Sequence, residues 1–196
     1  AAREIRSAAV FAESAAERQA IRQAANDSLK TAVASEQAQL LKLIAAGAQH
    51  IIVSNAPDIG AIPETDLVAA GLLAYAETKS QIRKANRLPQ VTTKLSSKYN
   101  RKLARKLART EHQTGVDIIE YDLFSFLADQ VENAEDYNLT NTDDACAYMI
   151  SQAGALHPEC DRYVTATGFL FYDEIHPTTA VHQAAGMEII GELLAQ

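Results

Sequence analysis

The 196-residue sequence predicts an α/β protein, and three observations carry that prediction. Residues 50–54 and 116–121 are short runs rich in β-branched side chains, without polar alternation, as in strands buried on both faces of a parallel sheet. Long segments with helical spacing of apolar residues flank and separate them. The resulting order is helix, strand, helices, strand, helix, loop, helix, which is that of the α/β class. With 47% hydrophobic and 22% charged residues, the chain has the composition of one globular domain, and its apolar runs stay well short of the ~18 residues of a membrane span.

The first segment reads as helix almost throughout. Ser14 followed three residues later by Glu17 is a capping-box pattern, and Ile21, Ala25, Leu29, Val33, Leu40 and Ile44 follow at near-helical spacing. Gly47 fits the stop. The first strand, His50 to Ser54, leads into the loop Asn55-Ala56-Pro57-Asp58-Ile59-Gly60. A helix is expected at about 66–79, then a polar stretch through Pro89, then a basic helix at about 92–112. That helix has Leu95, Tyr99, Leu103 and Leu107 on one stripe and Gly115 as its stop. Val116 to Tyr121 reads as the second strand, and Asp122 can cap a helix beginning near Leu123. Residues 134–170 read mostly as loop, with one short helix around Cys146. An amphipathic helix at about 178–195, carrying Val181, Ala185, Ile189 and Leu193, closes the series.

A two-stranded parallel sheet has two open edges and does not stand alone. Neighbouring strands are therefore expected from an N-terminal segment outside these residues or from a second chain.

The formal net charge of −7 argues against nucleic acid as the main partner. The charges are segregated: residues 94–109 hold seven Lys/Arg and no acid, while 113–161 hold eleven Asp/Glu and no Lys or Arg. Lys94, Lys98, Arg101, Lys102, Arg105, Lys106 and Arg109 could lie against anionic lipid, but they spread around most of their helix, which favours a solvated surface. Cys146 and Cys160 read either as two buried thiols or as a disulfide closing a polar loop. No C-x-x-C or His stands at zinc-site spacing, so a structural metal is not expected. The disulfide is the preferred reading, and with it an oxidising, extracytoplasmic compartment.

The stretch richest in chemistry is Phe171-Tyr172-Asp173-Glu174-Ile175-His176-Pro177-Thr178-Thr179. An Asp three residues before a His, on a loop that Pro177 ends, can bring its carboxylate to the imidazole Nδ1. That fixes the tautomer and leaves Nε2 as general base toward a serine. Spacing alone favours a surface Asp capping the last helix beside an ordinary His. A metal site from Asp173, His176 and His182 lacks a good third ligand, because His182 lies six residues beyond His176 and does not share its face cleanly.

Asp173 to Ala180 resembles the closing block of SGNH/GDSL hydrolases, whose D-x-x-H-P supplies a triad Asp and His. Other stretches resemble the same family in the same order. Gly47-Ala48 with Ile51 to Gly60 looks like its "GA…hhVxNxPdiG" strand and loop, and Leu95-Ser96 to Tyr99-Asn100 resembles its "LS…YN" helix. Asp122-Leu123-Phe124 after the second strand resembles its "DLF" segment. Leu139 to Cys146, with Cys160 later, is similar to a bacterial secreted lipase and phospholipase subgroup.

The resemblance implies a three-layer flavodoxin-like fold with a parallel sheet, and hydrolysis of carboxylic esters by a Ser–His–Asp triad without metal or organic cofactor. It implies Asp173 and His176 as the catalytic residues. The sequence departs from the family in having no G-D-S, no G-x-S-x-G elbow, and neither the Gly nor the G-x-N-D Asn of the oxyanion hole. Ala25-Asn26-Asp27 has the letters N-D, but inside a helical pattern. Nucleophile and oxyanion hole are thus expected outside this chain, residues 1–196 being the C-terminal portion of one such domain and an N-terminal companion fragment the partner. Ser54 is the best candidate nucleophile within the chain, though it reads as a strand-end residue, and Asn55 and Asp58 either line the pocket or build the turn around Pro57. The rival expectation is a catalytically inactive α/β module that binds a partner or anionic lipid through the basic helix.

Overall fold

Ser14 starts the longest helix as expected: its hydroxyl accepts the Glu17 N–H at 3.1 Å, and the Glu17 carboxylate accepts the Ser14 N–H at 2.9 Å. The computed structural model describes residues 2–151, 154–160 and 166–194. Helix α1 (Ala2–Phe11) precedes this helix, α2 (Ala15–Ala45), and β1 (His50–Ser54) follows it. Then come α3 (Pro63–Ala74), α4 (Lys79–Asn86), α5 (Leu88–Thr114), β2 (Asp117–Tyr121) and α6 (Leu123–Glu132). A 3-10 turn (Ala134–Tyr137), β3 (Asn141–Ala145), β4 (Ala147–Tyr148), β5 (Ala155–Leu156), β6 (Phe169–Phe171) and α7 (Thr179–Leu194) complete the chain.

β1 and β2 pair in parallel, with Ile51 opposite Ile118 and Ser54 opposite Tyr121. Side chains alternate across a strand, so the two faces can be assigned. Ile51 and Ile118 lie on one face, packed with Val33 and Leu40 of α2 and Leu103 and Leu107 of α5. Tyr121 lies on the other face, packed with Phe126 and Leu127 of α6, Leu170 and Phe171 of β6, and Val181 of α7. Burial of each large apolar side chain contributes about 1.5–3 kcal/mol, which makes these two clusters the main support of the layered α/β arrangement.

The expected burial of β1 on both faces is corrected. Ile51 is 9% exposed but Ile52, on the opposite face, is 37% exposed, because the second cluster gathers at the Tyr121 end of the sheet and does not reach it. Among the described residues β1 pairs with β2 alone. On β2 the Ile118 N–H donates to the Glu111 carboxylate of α5 at 3.2 Å.

Two helix expectations also change. The helix expected at 66–79 begins earlier, at Pro63, and ends at Ala74. Thr78 then starts a new helix, α4, accepting the Gln81 N–H at 3.2 Å while the Gln81 side chain accepts the Glu77 and Thr78 N–H groups. Pro89, expected in a polar stretch, sits in the first turn of α5, where its missing N–H costs nothing. Gly115, at φ 70°, ends α5 in the left-handed conformation that a glycine adopts without strain.

No helix surrounds Cys146. It lies between β3 and β4, and its N–H donates to the Phe171 carbonyl at 3.0 Å. β3 pairs in parallel with β6, a second parallel pair that the polar run Asn141-Thr142-Asp143-Asp144 conceals. Cys146 and Cys160 are joined by a disulfide, with Cα atoms 5.0 Å apart.

Candidate active site

Asp173 and His176 are brought together by the turn between β6 and α7. Thr178 anchors the exit of this turn, its hydroxyl donating to the Phe169 carbonyl at 3.0 Å and its N–H to that of Leu170 at 2.9 Å. The Tyr172 N–H closes the turn on the His176 carbonyl at 2.8 Å. Inside it, Asp173 Oδ1 accepts the N–H groups of Ile175 at 2.8 Å and His176 at 2.7 Å, a side-chain turn of the kind Asp favours.

The same carboxylate receives the imidazole. His176 Nδ1 stands 2.8 Å from Asp173 Oδ2 and 2.9 Å from Oδ1. Because a carboxylate only accepts, Nδ1 carries a proton, and in the neutral ring Nε2 is the nitrogen left with its lone pair. The Asp173 side chain is 14% exposed and that of His176 is 68% exposed, so the ring is held from inside and opens to solvent. Burial pushes the Asp173 carboxyl up, but the His176 and Ile175 N–H bonds, with the imidazole beside them, outweigh this and hold it below the usual carboxylate value. An apolar cavity lies beside the turn, lined among others by Ile62, Phe126, Ile175, Pro177 and His182. His182 belongs to the helix, its Nδ1 3.0 Å from the Thr178 carbonyl.

The other candidates make bonds of their own, although Pro57 and Ile59 of their loop line the cavity beside the turn. The Ser54 hydroxyl donates to the Asn55 carbonyl at 3.0 Å, a strand-end arrangement. Asn55 is buried and joins Asp122, while Asp58 accepts the Gly60 N–H at 2.7 Å and the Thr93 hydroxyl at 2.9 Å, so both build the loop. Asn26 lies on α2 and accepts from Lys98 of α5. Among the described residues no serine hydroxyl bonds to His176. Glu174, to which the sequence reading gave no role of its own, is fully buried and receives bonds from Ile150 and Ser151. Nothing in its sequence neighbourhood separates it from a solvated Glu.

The chain matches the GDSL-like lipase/acylhydrolase family over residues 13–189, and it belongs to that family. Membership supports ester or acyl hydrolysis as the general class of activity. No curated protein matches the chain.

Proposed function

We propose that this chain supplies the Asp–His half of a Ser–His–Asp triad that hydrolyses carboxylic esters, with Asp173 orienting His176 and the serine coming from outside these 196 residues. The observation that carries the reading is the imidazole whose Nδ1 is bonded to a half-buried carboxylate while its ring is open to solvent. In that geometry Nε2 takes the serine proton as Oγ attacks the ester carbonyl, and passes it to the departing alcohol. Water then attacks the acyl-enzyme, giving its proton to the same nitrogen, which passes it to the departing serine oxygen as the acid is released. Asp173 stays ionised throughout and stabilises the imidazolium. The route needs neither metal nor organic cofactor. The Cys146–Cys160 disulfide and the family together favour an extracytoplasmic setting.

Labelling of the protein preparation with a fluorescent fluorophosphonate, followed by denaturing electrophoresis and mass analysis, tests this. Label on a second polypeptide, lost when His176 is replaced by Ala, is the expected result. Label on this chain would overturn the external serine and turn attention to Ser54. Absence of any label in a preparation that contains the N-terminal companion segment would overturn the hydrolase and leave the binding module.

A further inference from the structure

The turn that carries Asp173 and His176 projects from the surface, with Tyr172 and Ile175 50% and 39% exposed, yet the side chain at its centre is directed inward. Glu174 is 0% exposed. Its Oε1 and Oε2 lie 3.0 and 3.1 Å from the Ile150 N–H, and Oε1 also accepts the Ser151 N–H and the Ser151 hydroxyl, each at 2.8 Å. The Glu174 carbonyl accepts the Glu64 N–H at 2.8 Å, one of the donors that the first turn of α3 leaves without an intrahelical partner. Three segments remote in sequence thus meet on one residue.

A fully buried carboxylate is costly unless its oxygens are satisfied, and charge-assisted bonds to two backbone N–H groups and a hydroxyl do that. Burial pushes the Glu174 carboxyl up, but the bonds from Ser151 and the neighbouring backbone outweigh it and keep the group below its ordinary value. The corner that Glu174 holds lies within the loop closed by Cys146 and Cys160, so the anchor is itself restrained. Asp173 sets the internal shape of the turn through the Ile175 and His176 amides. Those bonds do not fix the turn against the rest of the protein; Thr178 and the Ala147 N–H on the Tyr172 carbonyl hold its two ends, and Glu174 holds its middle.

We propose that Glu174 is a positioning residue, whose clamp on Ile150 and Ser151 sets the orientation of the His176 ring against Asp173. Its use in ester hydrolysis rests on the function proposed above, but the clamp has a readout of its own. The ring nitrogens of His176, assigned by the signals lost in His176→Asn, report which nitrogen carries the proton in the neutral imidazole.

The Nδ1-protonated form is expected to dominate in the unaltered chain. In Glu174→Ala its ratio to the Nε2-protonated form is expected to fall at least about twofold, toward that of Asp173→Asn. Ser151→Ala, which leaves the carboxylate its two amides, is expected to give a smaller change of the same sign. A folded Glu174→Ala with an unchanged ratio would show a merely structural role and overturn the proposal. Should Glu174→Ala not fold, an unchanged ratio in Ser151→Ala overturns it equally. Fluorophosphonate labelling reads the catalytic assignment separately: a shifted ratio in a chain that supports no labelling would uphold the clamp and defeat only the hydrolase.

Discussion

Asn55 and Asp122 tie together the C-terminal ends of the two parallel strands: Asn55 Nδ2 donates to Asp122 Oδ1 at 2.7 Å, and Asn55 Oδ1 accepts the Phe124 N–H at 3.0 Å. Asn55 is 7% exposed, so its removal leaves the Phe124 donor and the Asp122 carboxylate without these partners. Asn55→Ala is expected to lower the unfolding free energy by about 1–3 kcal/mol. Urea denaturation at neutral pH measures this, and an unshifted midpoint would mean that water substitutes for the amide without loss.

The pH dependence of stability has a definite sign at Asp173. Its folded-state carboxyl lies below the ordinary value of about 3.9, so its stabilising contribution is complete above that value and disappears as pH falls through the depressed one. The stability difference between the unaltered chain and Asp173→Asn is expected to be constant from neutral pH down to about 4 and to shrink below it. Denaturation midpoints at a series of pH values test the claim, and a gap that persists to full protonation would remove the ionic contribution.

The disulfide closes a loop with a sequence separation of 14, for which the chain-entropy estimate is about 3 kcal/mol. Cys146→Ser with Cys160→Ser is expected to lose stability on that scale. Loss should concentrate near β3 and β6, because Cys146, Ala166 and Phe169 form a cluster of their own. Hydrogen exchange resolved by segment distinguishes this from uniform loosening.

Gly60 and Gly71 make a matched pair. A Cβ at Gly60 would fall 2.4 Å from the Pro89 carbonyl oxygen and 2.6 Å from the Thr93 nitrogen, both backbone atoms of α5. Gly60→Ala is therefore expected to cost about 1–3 kcal/mol or push the 55–62 loop off that helix. Gly71, inside α3, has nothing within 4 Å of such a Cβ, and Gly71→Ala is expected to stabilise by up to about 1 kcal/mol. Opposite shifts of the melting temperature are the expected outcome, and equal shifts would refute the close approach.

What could be read from the sequence was local. His50 to Ser54 is a strand with the expected ends, and Ser14–Glu17 and Gly115 bound helices as their chemistry requires. Helix α4 escaped although Thr78 and Gln81 have the capping-box spacing, because the helix they start is only 8 residues long and mostly polar. β3 escaped because its partner β6 lies more than twenty residues later and its own residues are polar. The bare face at Ile52 shows that a strand's composition does not reveal whether both of its sides are covered. In the candidate site, the Asp173–His176 pairing was legible from the three-residue spacing only together with the resemblance of the surrounding block to the family. The burial of Glu174 was not, since it depends on where residues 150–151 come to rest.

The two outer edges of the central ladder differ in their protection. Glu111 occupies the Ile118 N–H on the β2 side, whereas among the described residues β1 has no such guard, no proline, and an apolar Ile52 on its bare face. An unguarded strand of this kind is where chains stack edge to edge. The open edge of β1 is therefore where a further strand would add, and a single charge beside it, Ile52→Lys, is expected to disfavour pairing between copies of the chain, as light scattering over a concentration series would measure.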